Sequence, residues 1–424
     1  MIQKPKGTYD LFGENGKKYL YIENIIQALM EKYNYEYVKT PLFESSELFH
    51  RGVGETTDIV SKETYDFVDR GERNMTLRPE GTAGVVRSYI ENKMYGRDSK
   101  STKCWYIGPM YRYERPQSGR YREFYQFGVE VFGSNDPMTD AEVISIPVNF
   151  YKLLGLKGIK VNINTLGDIE SRMKYREALK KYFEPHIDSL CEDCKSRFEK
   201  NPLRILDCKV DSNFEIMKNA PKISEYLNET SIDHFNKVKE YLDAMGIEYV
   251  INENLVRGLD YYTHTVFEVE ADIKDFGSQN VLCGGGRYDS LVSTIGGPDT
   301  CGVGFATGLE RLTTALEYEN VLPDLKDTCD VYVIPMKNTK NESINLVNTL
   351  RMNGFKTDID LMNRNIKSNF KQADRIGTKY IIIIGEEEIN SNILTIKDNN
   401  TKKEYKINLE NIIEFLDEKI EEEH

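Results

Sequence analysis

Three stretches far apart in the chain each combine an arginine with aromatic or glycine neighbours, and they cover residues 108–133, 255–269 and 302–312. The arginines concerned are Arg112, Arg257 and Arg311. Each stands among residues that alternate as in a strand, or at the start of a helix, so the fold would hold its guanidinium group rigidly. Guanidinium groups suit phosphates, and aromatic or glycine neighbours suit a flat ring. The pattern therefore predicts an enzyme that acts on a nucleotide.

The bulk composition predicts a globular protein of the cytoplasm. With 424 residues, of which 39% are hydrophobic, the chain can build about three domains with packed cores. Its most apolar run, residues 380–384, is too short to span a bilayer, and the start of the chain has no apolar signal core. A net charge of −13 argues against unselective binding of polyanions, so any nucleic-acid contact must rest on local basic patches.

The first part of the chain predicts a long helix and a long hairpin. Apolar residues between Ile22 and Tyr33 recur at helical spacing, and an extended segment through Pro41 follows. This helix could form part of a dimer interface or pack into the core of one subunit, and its spacing fits both. Residues 105–114 and 122–132 read as two strands joined by a polar loop with proline and glycine, which favours a hairpin.

The rest of the chain predicts an α+β catalytic domain followed by an α/β module. Residues 167–246 are charged and helical, and they predict an inserted helical domain within a catalytic domain of residues 1–325. Strand patterns return at residues 248–251, 265–270 and 281–284, and residues 302–316 read as a strand and a helix. This order is typical of a fold around an antiparallel sheet. In residues 329–424, strands alternate with helices and a hairpin turns near Asn399, which predicts a compact module with parallel strands.

A nucleotide pocket is predicted beside the hairpin. Arg112 and Glu114 would point to the same face of an alternating strand. There the guanidinium group could hold an α-phosphate, and the carboxylate or a backbone group could accept a hydrogen bond from the adenine amino group. Phe124, on the partner strand, could stack on the base. For an Arg-x-Glu pattern alone, a surface ladder of ion pairs is the more common meaning.

The glycine-rich segment at residues 302–308 is not a standard phosphate loop. It lacks the Gly-Lys-Ser/Thr ending of such loops and the Gly-x-Gly-x-x-Gly spacing of dinucleotide folds. Small residues would let a strand approach a flat ligand closely, and the next turn would place Arg311 near a helix N-terminus, where anions are favoured. Close packing between sheet and helix would explain the same glycines.

Two further groups of residues predict a receptor for an amino acid. Glu80 and Thr82 flank Gly81 and place a carboxylate and a hydroxyl where an α-ammonium group could bind. Gln126 and Glu130 would share one face of a strand. Together with two consecutive tyrosines, they could bond the N–H groups of a small polar ring such as imidazole. These tyrosines are Tyr261 and Tyr262.

Together these pieces resemble the histidyl-tRNA synthetases, a family of class II aminoacyl-tRNA synthetases, over essentially the whole chain. The family-specific segments are Arg257-Gly258-Leu259-Asp260-Tyr261-Tyr262 and Gly284-Gly285-Gly286-Arg287-Tyr288-Asp289. Each short motif alone is weak, but their order between the Arg112 hairpin and the Arg311 helix is specific. The resemblance implies a homodimer with the segment through Pro41 at its interface, and an anticodon-binding domain in residues 329–424.

The resemblance also implies the reaction and the roles of site residues. ATP, with bound Mg²⁺, would activate L-histidine to histidyl-adenylate with release of pyrophosphate, and histidine would then pass to the 3′ end of histidine tRNA. No protein nucleophile is required, and the catalytic groups would be Arg112, Arg257 and Arg311, with Arg257 bridging the histidine carboxylate and the α-phosphate. The implied ATP-binding residues are Arg112, Glu114, Phe124 and Arg311. The implied histidine-binding residues are Glu80, Gly81, Thr82, Gln126, Glu130, Arg257, Tyr261, Tyr262, Gly284 and Gly285.

The chain departs from the family pattern at one position. Tyr125 occupies a position where many members have histidine, which leaves the contacts of that strand open.

Two other functions are alternatives to the synthetase. One is a non-catalytic paralogue that regulates the first enzyme of histidine biosynthesis. Such proteins generally lack the anticodon module, whereas residues 329–424 supply one here. The other rival is a tRNA-binding accessory protein with a dead site, which the intact arginine set disfavours.

Four cations in the second domain recur at intervals of three and four residues, which would gather them on one helical face ahead of Gly377. They are Arg364, Lys367, Lys371 and Arg375. A solvated helix face is the usual meaning of such spacing. In a chain that resembles this family, we expect the four side chains to contact tRNA phosphates.

The seven cysteines are an odd, scattered set, which does not indicate a disulfide framework. Cys191, Cys194 and Cys208, with His186 just before them, could supply four zinc ligands, but the second ligand pair is irregular in spacing. We therefore expect reduced, shielded thiols and no bound metal.

Overall fold

The computed structural model describes residues 1–54, 57, 59–116, 119–206, 208, 210–259, 261–273, 280–325 and 328–421. Asp260 of the first family-specific segment and two residues of the hairpin loop, Gln117 and Ser118, lie outside this set. The chain divides into two compact units, Met1–Pro323 and Asp324–His424. Among the described residues, no helix combines the length and the apolar character that a membrane span requires.

The first unit contains two sheets and the helices that cover them. Its strands are β1 (Glu36–Tyr37), β2 (Phe43–Ser45), β3 (Tyr65–Val68), β4 (Asn74–Leu77), β5 (Thr102–Tyr111), β6 (Glu123–Phe132), β7 (Ile159–Thr165), β8 (Tyr249–Ile251), β9 (Thr263–Ala271), β10 (Val281–Arg287) and β11 (Gly302–Gly308). Its helices are α1 (Gly13–Tyr33), α2 (Ser46–Phe49), α3 (Thr82–Glu91), α4 (Pro137–Leu153), α5 (Ile169–Phe183), α6 (Glu192–Lys200), α7 (Glu215–Lys218), α8 (Glu229–Ala244), α9 (Leu291–Thr294) and α10 (Leu309–Tyr318).

The large sheet confirms the predicted α+β class. Its strand order is β1-β5-β6-β11-β10-β9-β7-β8. In this sheet the inner pairs of strands are antiparallel. Among its described strands, only the outer pairs β1–β5 and β7–β8 are parallel. A small antiparallel sheet, β2-β4-β3, lies beside it in the chain. Neither this small sheet nor β7 was predicted from the sequence, although Val161 and Ile163 of β7 alternate into the core.

Alternation along β6 separates the core from the site. Phe127, Val129 and Val131 are buried in a cluster with apolar residues of α1, α4, α8 and α10, so these helices cover one face of the sheet. Gln126 and Glu130 occupy the alternate positions and therefore point to the other face. Helix α1 contributes its buried Ile22, Ile26 and Met30 to this cluster, so its apolar stripe packs within the chain itself.

The predicted hairpin forms, but its bounds differ: β5 begins three residues before the predicted start at Trp105, and β6 begins one residue after the predicted start at Arg122. Strand β5 ends at Tyr111, three residues before the predicted end at Glu114. The backbone amide of Tyr113 donates to the carbonyl oxygen of Glu63 at 2.6 Å and not to the partner strand, and this contact draws the chain out of the sheet. Arg112 still keeps a backbone bond to Arg122 across the hairpin at 2.9 Å.

Helical structure dominates residues 167–246, which lie within the first unit. Helices α5 to α7 and short 3-10 turns form a cluster whose apolar residues join those of α3 and the site face of the sheet. Helix α8 instead packs over the sheet beside α4 and contributes Phe235, Val238 and Leu242 to the other core. The helical segment thus reaches both faces of the sheet.

The second unit is a mixed α/β module. Its strands are β12 (Cys329–Pro335), β13 (Thr357–Ile359), β14 (Thr378–Ile384), β15 (Ile393–Asp398) and β16 (Glu404–Asn408). Its helices are α11 (Lys340–Met352), α12 (Ile366–Arg375), α13 (Glu386–Ser391) and α14 (Ile412–Glu421). The order is β13-β12-β14-β15-β16; the first three strands are parallel and the last two form the predicted antiparallel hairpin.

Candidate active site

A cavity of about 630 Å³ opens over the site face of the large sheet. Arg112, Arg257 and Arg311, which come from three distant stretches of sequence, all line it. The other predicted site residues that line it are Glu80, Thr82, Glu114, Phe124, Gln126, Glu130, Tyr261, Tyr262 and Gly284. The fold therefore brings most of the predicted set into one place.

Gly81 and Gly285 do not line the cavity, and both lie at close approaches inside the fold. A Cβ atom on Gly81 would lie 2.2 Å from the ring of Tyr106, and one on Gly285 would lie 2.2 Å from the carbonyl oxygen of Gly304. Packing explains both glycines, since contacts this short leave no room for a side chain. Their predicted contact with histidine remains a prediction.

The acidic end of the cavity centres on Glu130. Its Oε1 atom accepts a hydrogen bond from the Thr82 hydroxyl at 2.6 Å, and its Oε2 atom accepts one from the Tyr288 hydroxyl. Burial, together with the nearby Glu80 carboxylate, raises the pKa of Glu130 to about 8. The site thus holds a carboxyl group that gains a proton easily and that a hydrogen-bond donor or a cation would ionise.

Glu80 is fixed by the first turn of α3. Its two carboxylate oxygens accept hydrogen bonds from the backbone amides of Thr82 and Ala83, each at 2.8 Å. This contact satisfies amides that have no partner within the helix, and the positive end of the helix dipole favours the carboxylate. Burial nevertheless raises the pKa of Glu80. Two buried carboxyl groups therefore face the same end of the cavity, which favours a cationic ligand.

Gln126 stands on β6 between two glycines in register, Gly108 of β5 and Gly308 of β11. Its Oε1 atom is buried and has no hydrogen-bond partner in the structure. Leaving a buried amide oxygen unsatisfied costs about 1–3 kcal/mol, so a ligand that donates to this atom would recover that free energy.

Arg257 also lines the cavity. Its guanidinium group forms an ion pair with Glu268 of β9 and lies against Gly284 of β10, where a Cβ atom would be 2.2 Å from Nη2. Burial alone would lower the pKa of Arg257, but the Glu268 carboxylate outweighs it and raises that pKa. Arg257 is therefore a permanent cation held in one orientation, with one carboxylate partner on the sheet.

A second part of the lining, the cationic end, collects guanidinium groups. Arg112 donates from Nε to the carbonyl oxygen of Pro79 at 2.9 Å, and its Cζ atom lies 5.2 Å from the centre of the Phe124 ring. Arg120, in the loop after β5, donates to Glu114 at 3.1 Å. Phe124, which was predicted to stack on a base, thus makes a cation–π contact with Arg112, which was predicted to bind a phosphate.

Arg311 completes the cationic end. It is the third residue of α10, and its Nη1 atom donates to the carbonyl oxygen of Val281 at 3.2 Å. Burial lowers the pKa of Arg311, and repulsion from Arg120 and Arg112 acts in the same direction. Guanidinium groups that repel one another in a partly buried site make the binding of a polyanion favourable.

Several lining residues were not predicted as site residues from the sequence, and three of them make hydrogen bonds at the site. Tyr288 bonds Glu130, Arg120 bonds Glu114, and the carboxyl group of Glu310 accepts from the Tyr9 hydroxyl and from the Tyr125 amide. Tyr288 belongs to the second family-specific segment, and Glu310 directly precedes Arg311, so the sequence did hold a signal for both residues. Arg120 lies in an irregular loop, where alternation gives no information.

The Tyr125 side chain is not part of the cavity lining. Its backbone amide donates to Glu310 at 2.7 Å, and its ring lies edge-on to Tyr19 of α1, with ring centres 5.9 Å apart. The side chain therefore points to the helix-covered face of the sheet. We infer that the departure from the family pattern at this position changes packing under the site more than it changes the ligand contacts.

The cations of the second unit do not all share one helix. Helix α12 begins after Asn365, whose side chain accepts from the Ser368 amide at 2.9 Å, so Arg364 lies before the helix. Arg364 is half-buried and donates to Asp360 at 2.8 Å. The other three, Lys367, Lys371 and Arg375, are exposed on α12. The prediction of four cations on one helical face is therefore wrong for Arg364, because the cap at Asn365 starts the helix later.

Cys191, Cys194 and Cys208 lie together, as their spacing allowed, but the fourth group beside them is Asp211 and not His186. The ligand-type atoms of these four residues all lie within 4.8 Å of one another. The cluster belongs to the helical region, and Cys208 also lines the cavity.

The antiparallel sheet, with buried carboxyl groups and a cluster of guanidinium groups lining one cavity, defines an α+β protein with a charged small-molecule cavity. A family model described as Histidyl-tRNA synthetase matches residues 7–312, and one described as Anticodon binding domain matches residues 330–419. The chain belongs to the histidyl-tRNA synthetase family.

Individual relatives match this chain over 90–99% of its length. A Staphylococcus haemolyticus protein named Histidine--tRNA ligase is 50% identical over 421 residues, with 99% of this chain and 100% of that protein covered. The crystal structure of apo S. aureus histidyl-tRNA synthetase matches with a TM-score of 0.84 and 43% identity, covering 98% of this chain and 100% of that one. A Bacillus halodurans structure titled as an ATP phosphoribosyltransferase regulatory subunit/histidyl-tRNA synthetase matches with a TM-score of 0.64 and 22% identity over 90% of this chain and 98% of that one, which shows a shared fold alone.

Proposed function

We propose that this chain is a histidine–tRNA ligase, which activates L-histidine with ATP and transfers it to the 3′ end of histidine tRNA. The observation that carries the proposal is the meeting of an acidic pocket and three arginines from distant stretches of sequence in one cavity of about 630 Å³. A cavity of this size fits an amino acid together with a nucleotide.

The acidic end supports histidine as the amino acid. Glu130, backed by Thr82 and Tyr288, offers a carboxylate to an imidazole N–H group, and Gln126 offers the unsatisfied oxygen described above. Glu80 would attract the α-ammonium group. Amino acids without N–H donors at these positions would leave the buried acceptors of the pocket unpaired. The pocket should therefore bind them less tightly than histidine.

The cationic end supports ATP. Arg112 and Arg311 would hold its phosphates and Phe124 its base, while Arg257 would bridge the carboxylate of histidine and the α-phosphate. The histidine carboxylate would attack the α-phosphorus in line and form the mixed anhydride, and pyrophosphate would leave with the electron pair. Rigid guanidinium groups lower the barrier of such a displacement by positioning and by stabilising charge.

Magnesium would arrive with the ATP phosphates, as in aminoacyl-tRNA synthetases generally. Glu114 is the carboxylate beside Arg112 and Arg120, and it offers oxygen donors of the kind that magnesium prefers. The ion would neutralise charge on the departing pyrophosphate. Glu310 fits this role less well, because burial raises its pKa and Tyr9 already donates to it.

We assign tRNA binding in the second unit to the exposed cations of α12, Lys367, Lys371 and Arg375, with the anticodon as the region bound. Phosphate contacts position a nucleic acid without reading its sequence, so these residues would contribute affinity more than specificity. Arg364, held by Asp360, would stabilise the loop before the helix.

A homodimer fits the exposed apolar surface of the small sheet. Phe43, Phe67 and Val68 are large, apolar and 41–63% exposed, and Leu42 precedes them in the chain. They continue the segment through Pro41 that the family resemblance assigns to the interface. A second copy of this chain would bury these side chains, whereas isolated exposed residues would need no partner.

Exchange of labelled pyrophosphate into ATP, measured with each of the twenty amino acids in turn, tests the proposal. We expect exchange with histidine alone, followed by histidine transfer when tRNA is added. A folded protein that binds histidine but supports no exchange would instead be a regulatory relative. Exchange with a different amino acid would refute the assignment of the acidic pocket.

A further inference from the structure

We propose a structural zinc site in the helical region, with four ligands from two short segments: Cys191, Cys194, Cys208 and Asp211. This inference is independent of the proposed function. It replaces the expectation, drawn from the sequence, that these thiols hold no metal.

Spacing becomes regular once the aspartate is included. Cys191 and Cys194 are separated by two residues, and Cys208 and Asp211 are separated by two residues as well. Two such pairs joined by a short connection are typical of structural zinc sites, in which each pair sits on a tight turn. The second ligand pair is irregular in spacing only if the fourth ligand is His186, and it is regular with Asp211.

The distances between ligand atoms suit a tetrahedral ion. The Sγ atoms of Cys191 and Cys208 are 3.7 Å apart, and the Sγ atom of Cys208 is 3.6 Å from Oδ2 of Asp211. Zn–S bonds of about 2.3 Å and Zn–O bonds of about 2.0 Å at tetrahedral angles place two sulfurs about 3.8 Å apart and a sulfur about 3.5 Å from an oxygen. These two distances therefore match two edges of such a tetrahedron, and all four ligand-type atoms lie within 4.8 Å of one another.

The surrounding backbone orients the ligands. The Cys191 amide donates to Oδ2 of Asp211 at 3.0 Å, and the Asp211 amide lies 3.4 Å from Sγ of Cys208. Amide donors of this kind fix the direction of ligand atoms around a metal. Cys191 also caps helix α6 and Cys194 lies within its first turn, so one rigid element presents the first pair.

Burial argues against ordinary surface thiols and carboxylates. Cys194 and Cys208 are buried, and Asp211 is only 2% exposed. A buried carboxylate needs hydrogen bonds or a cation to offset its desolvation. The Cys191 amide supplies one hydrogen bond to Asp211, and a cation held together with the thiolates would add further compensation. A disulfide does not provide that charge, and it would need the two sulfurs to approach to about 2.05 Å.

The site would fix a segment that borders the active-site cavity. Arg197 and Arg204, which lie between the two ligand pairs, line the cavity, and Arg197 donates to the carbonyl oxygen of Arg204 at 3.2 Å. A metal that joins the ends of this segment would hold both arginines at the rim. Loss of the metal should therefore loosen the rim before it affects the sheet.

The direct test is the zinc content of the full-length protein after dialysis against a mild chelator. We expect about one zinc per chain. C208S and D211N should lower that content, while C301S, a cysteine of the same unit outside the cluster, should leave it unchanged. Replacement by cobalt should give the absorption of tetrahedral cobalt with thiolate ligands in the wild type, and C208S should lose it.

The wild-type measurements decide the question even if a variant fails to fold. Wild-type protein without zinc above background and without the cobalt spectrum would overturn the proposal. Iron in place of zinc, or a Cys191–Cys208 disulfide found by mass spectrometry in freshly purified protein, would overturn it as well. Equal zinc loss in C301S and C208S would show that the metal does not belong to this cluster.

Discussion

The guanidinium group of Arg257 lies directly against Gly284, on the neighbouring part of the sheet, at a distance that leaves no space for a Cβ atom. The absent side chain is what leaves room for the guanidinium group at this point of the cavity wall. Similar relationships recur on this face, since a Cβ atom on Gly304 would lie 1.9 Å from Oε2 of Glu130. Gly284 of β10 and Gly304 of β11 thus leave the space that the side chains of Arg257 and Glu130 occupy.

G284A should displace Arg257 without unfolding the protein. The added Cβ atom would meet the end of a flexible side chain 2.2 Å away, so the arginine should move and the backbone should not. A misplacement of about 1 Å can reduce a rate about 100-fold, and we expect a loss of that order in histidine-dependent pyrophosphate exchange. G96A, at a glycine with open space around it, is the matched control. Full activity of G284A with an unchanged melting temperature would show that the close contact has no catalytic role.

The affinity for histidine should rise with pH and level off near the pKa of Glu130. Burial raises this pKa to about 8, so the empty site holds the proton below that pH. Binding of an imidazole N–H group requires the carboxylate and therefore releases a proton. Calorimetry in buffers of different ionisation heat should detect this release in the wild type and find less of it in E130Q. The ionisation of free histidine contributes equally to the measurements on wild type and E130Q. Equal proton release by the two proteins would therefore show that Glu130 does not lose a proton when histidine binds.

Glu130 should also make stability fall as pH rises. The folded protein keeps this proton while an exposed glutamate in the unfolded chain has lost it, so the contribution is complete below the unfolded pKa and disappears as pH rises through about 8. Denaturant unfolding of wild type and E130Q across this range should show E130Q gaining relative stability with pH. A constant difference would contradict the raised pKa.

D140N should destabilise the fold strongly. Asp140 of α4 is fully buried and bonds the buried Arg287 of β10, with Nε at 3.1 Å from both carboxylate oxygens. Removing one partner of a buried ion pair costs about 3–5 kcal/mol, because the other charge remains buried. Urea unfolding provides the measurement. K237A, at an exposed pair with Glu240, should change the free energy of unfolding little.

Neutralising Lys367, Lys371 and Arg375 together should weaken tRNA binding and flatten its salt dependence. Each phosphate contact contributes about 0.7–0.9 to the slope of log affinity against log salt, so three contacts should reduce the slope by about two. R364A is the matched control, because Asp360 already holds this arginine. We expect R364A to lower the stability of the second unit and to keep the slope. If R364A reduces the slope of log tRNA affinity against log salt as much as the triple variant does, Arg364 also contacts tRNA phosphates.

The sequence predicted those parts of the site that rest on local pattern. Alternation along the hairpin placed Gln126 and Glu130 on one face, and the strand-to-helix unit placed Arg311 at the start of α10. Tyr288 could not be assigned in this way, because its contact with Glu130 depends on the register of β6, β11 and β10. Sequence pattern does not reveal the register of strands that are far apart in the chain.

Other differences come from residues whose chemistry is not specific to one role. Asp211 belongs to a residue type that is mostly found on surfaces, so only its position beside three thiols distinguishes it. Arg364 fits a helical spacing, but the cap at Asn365 excludes it from the helix. The early end of β5 follows from the contact of Tyr113 with Glu63, a pairing between distant segments that propensity cannot anticipate.

The most direct test of the account is histidine-dependent pyrophosphate exchange by R257A, measured beside tRNA binding by the same preparation. Arg257 is the cation proposed to bridge the histidine carboxylate and the α-phosphate, so its removal should lower exchange by about 100-fold or more while the affinity for tRNA stays nearly unchanged. Exchange at the wild-type rate would remove Arg257 from the mechanism and contradict the proposed site. Equal loss of exchange and tRNA binding would contradict it too, because the arginine would then act on the fold and not on the reaction.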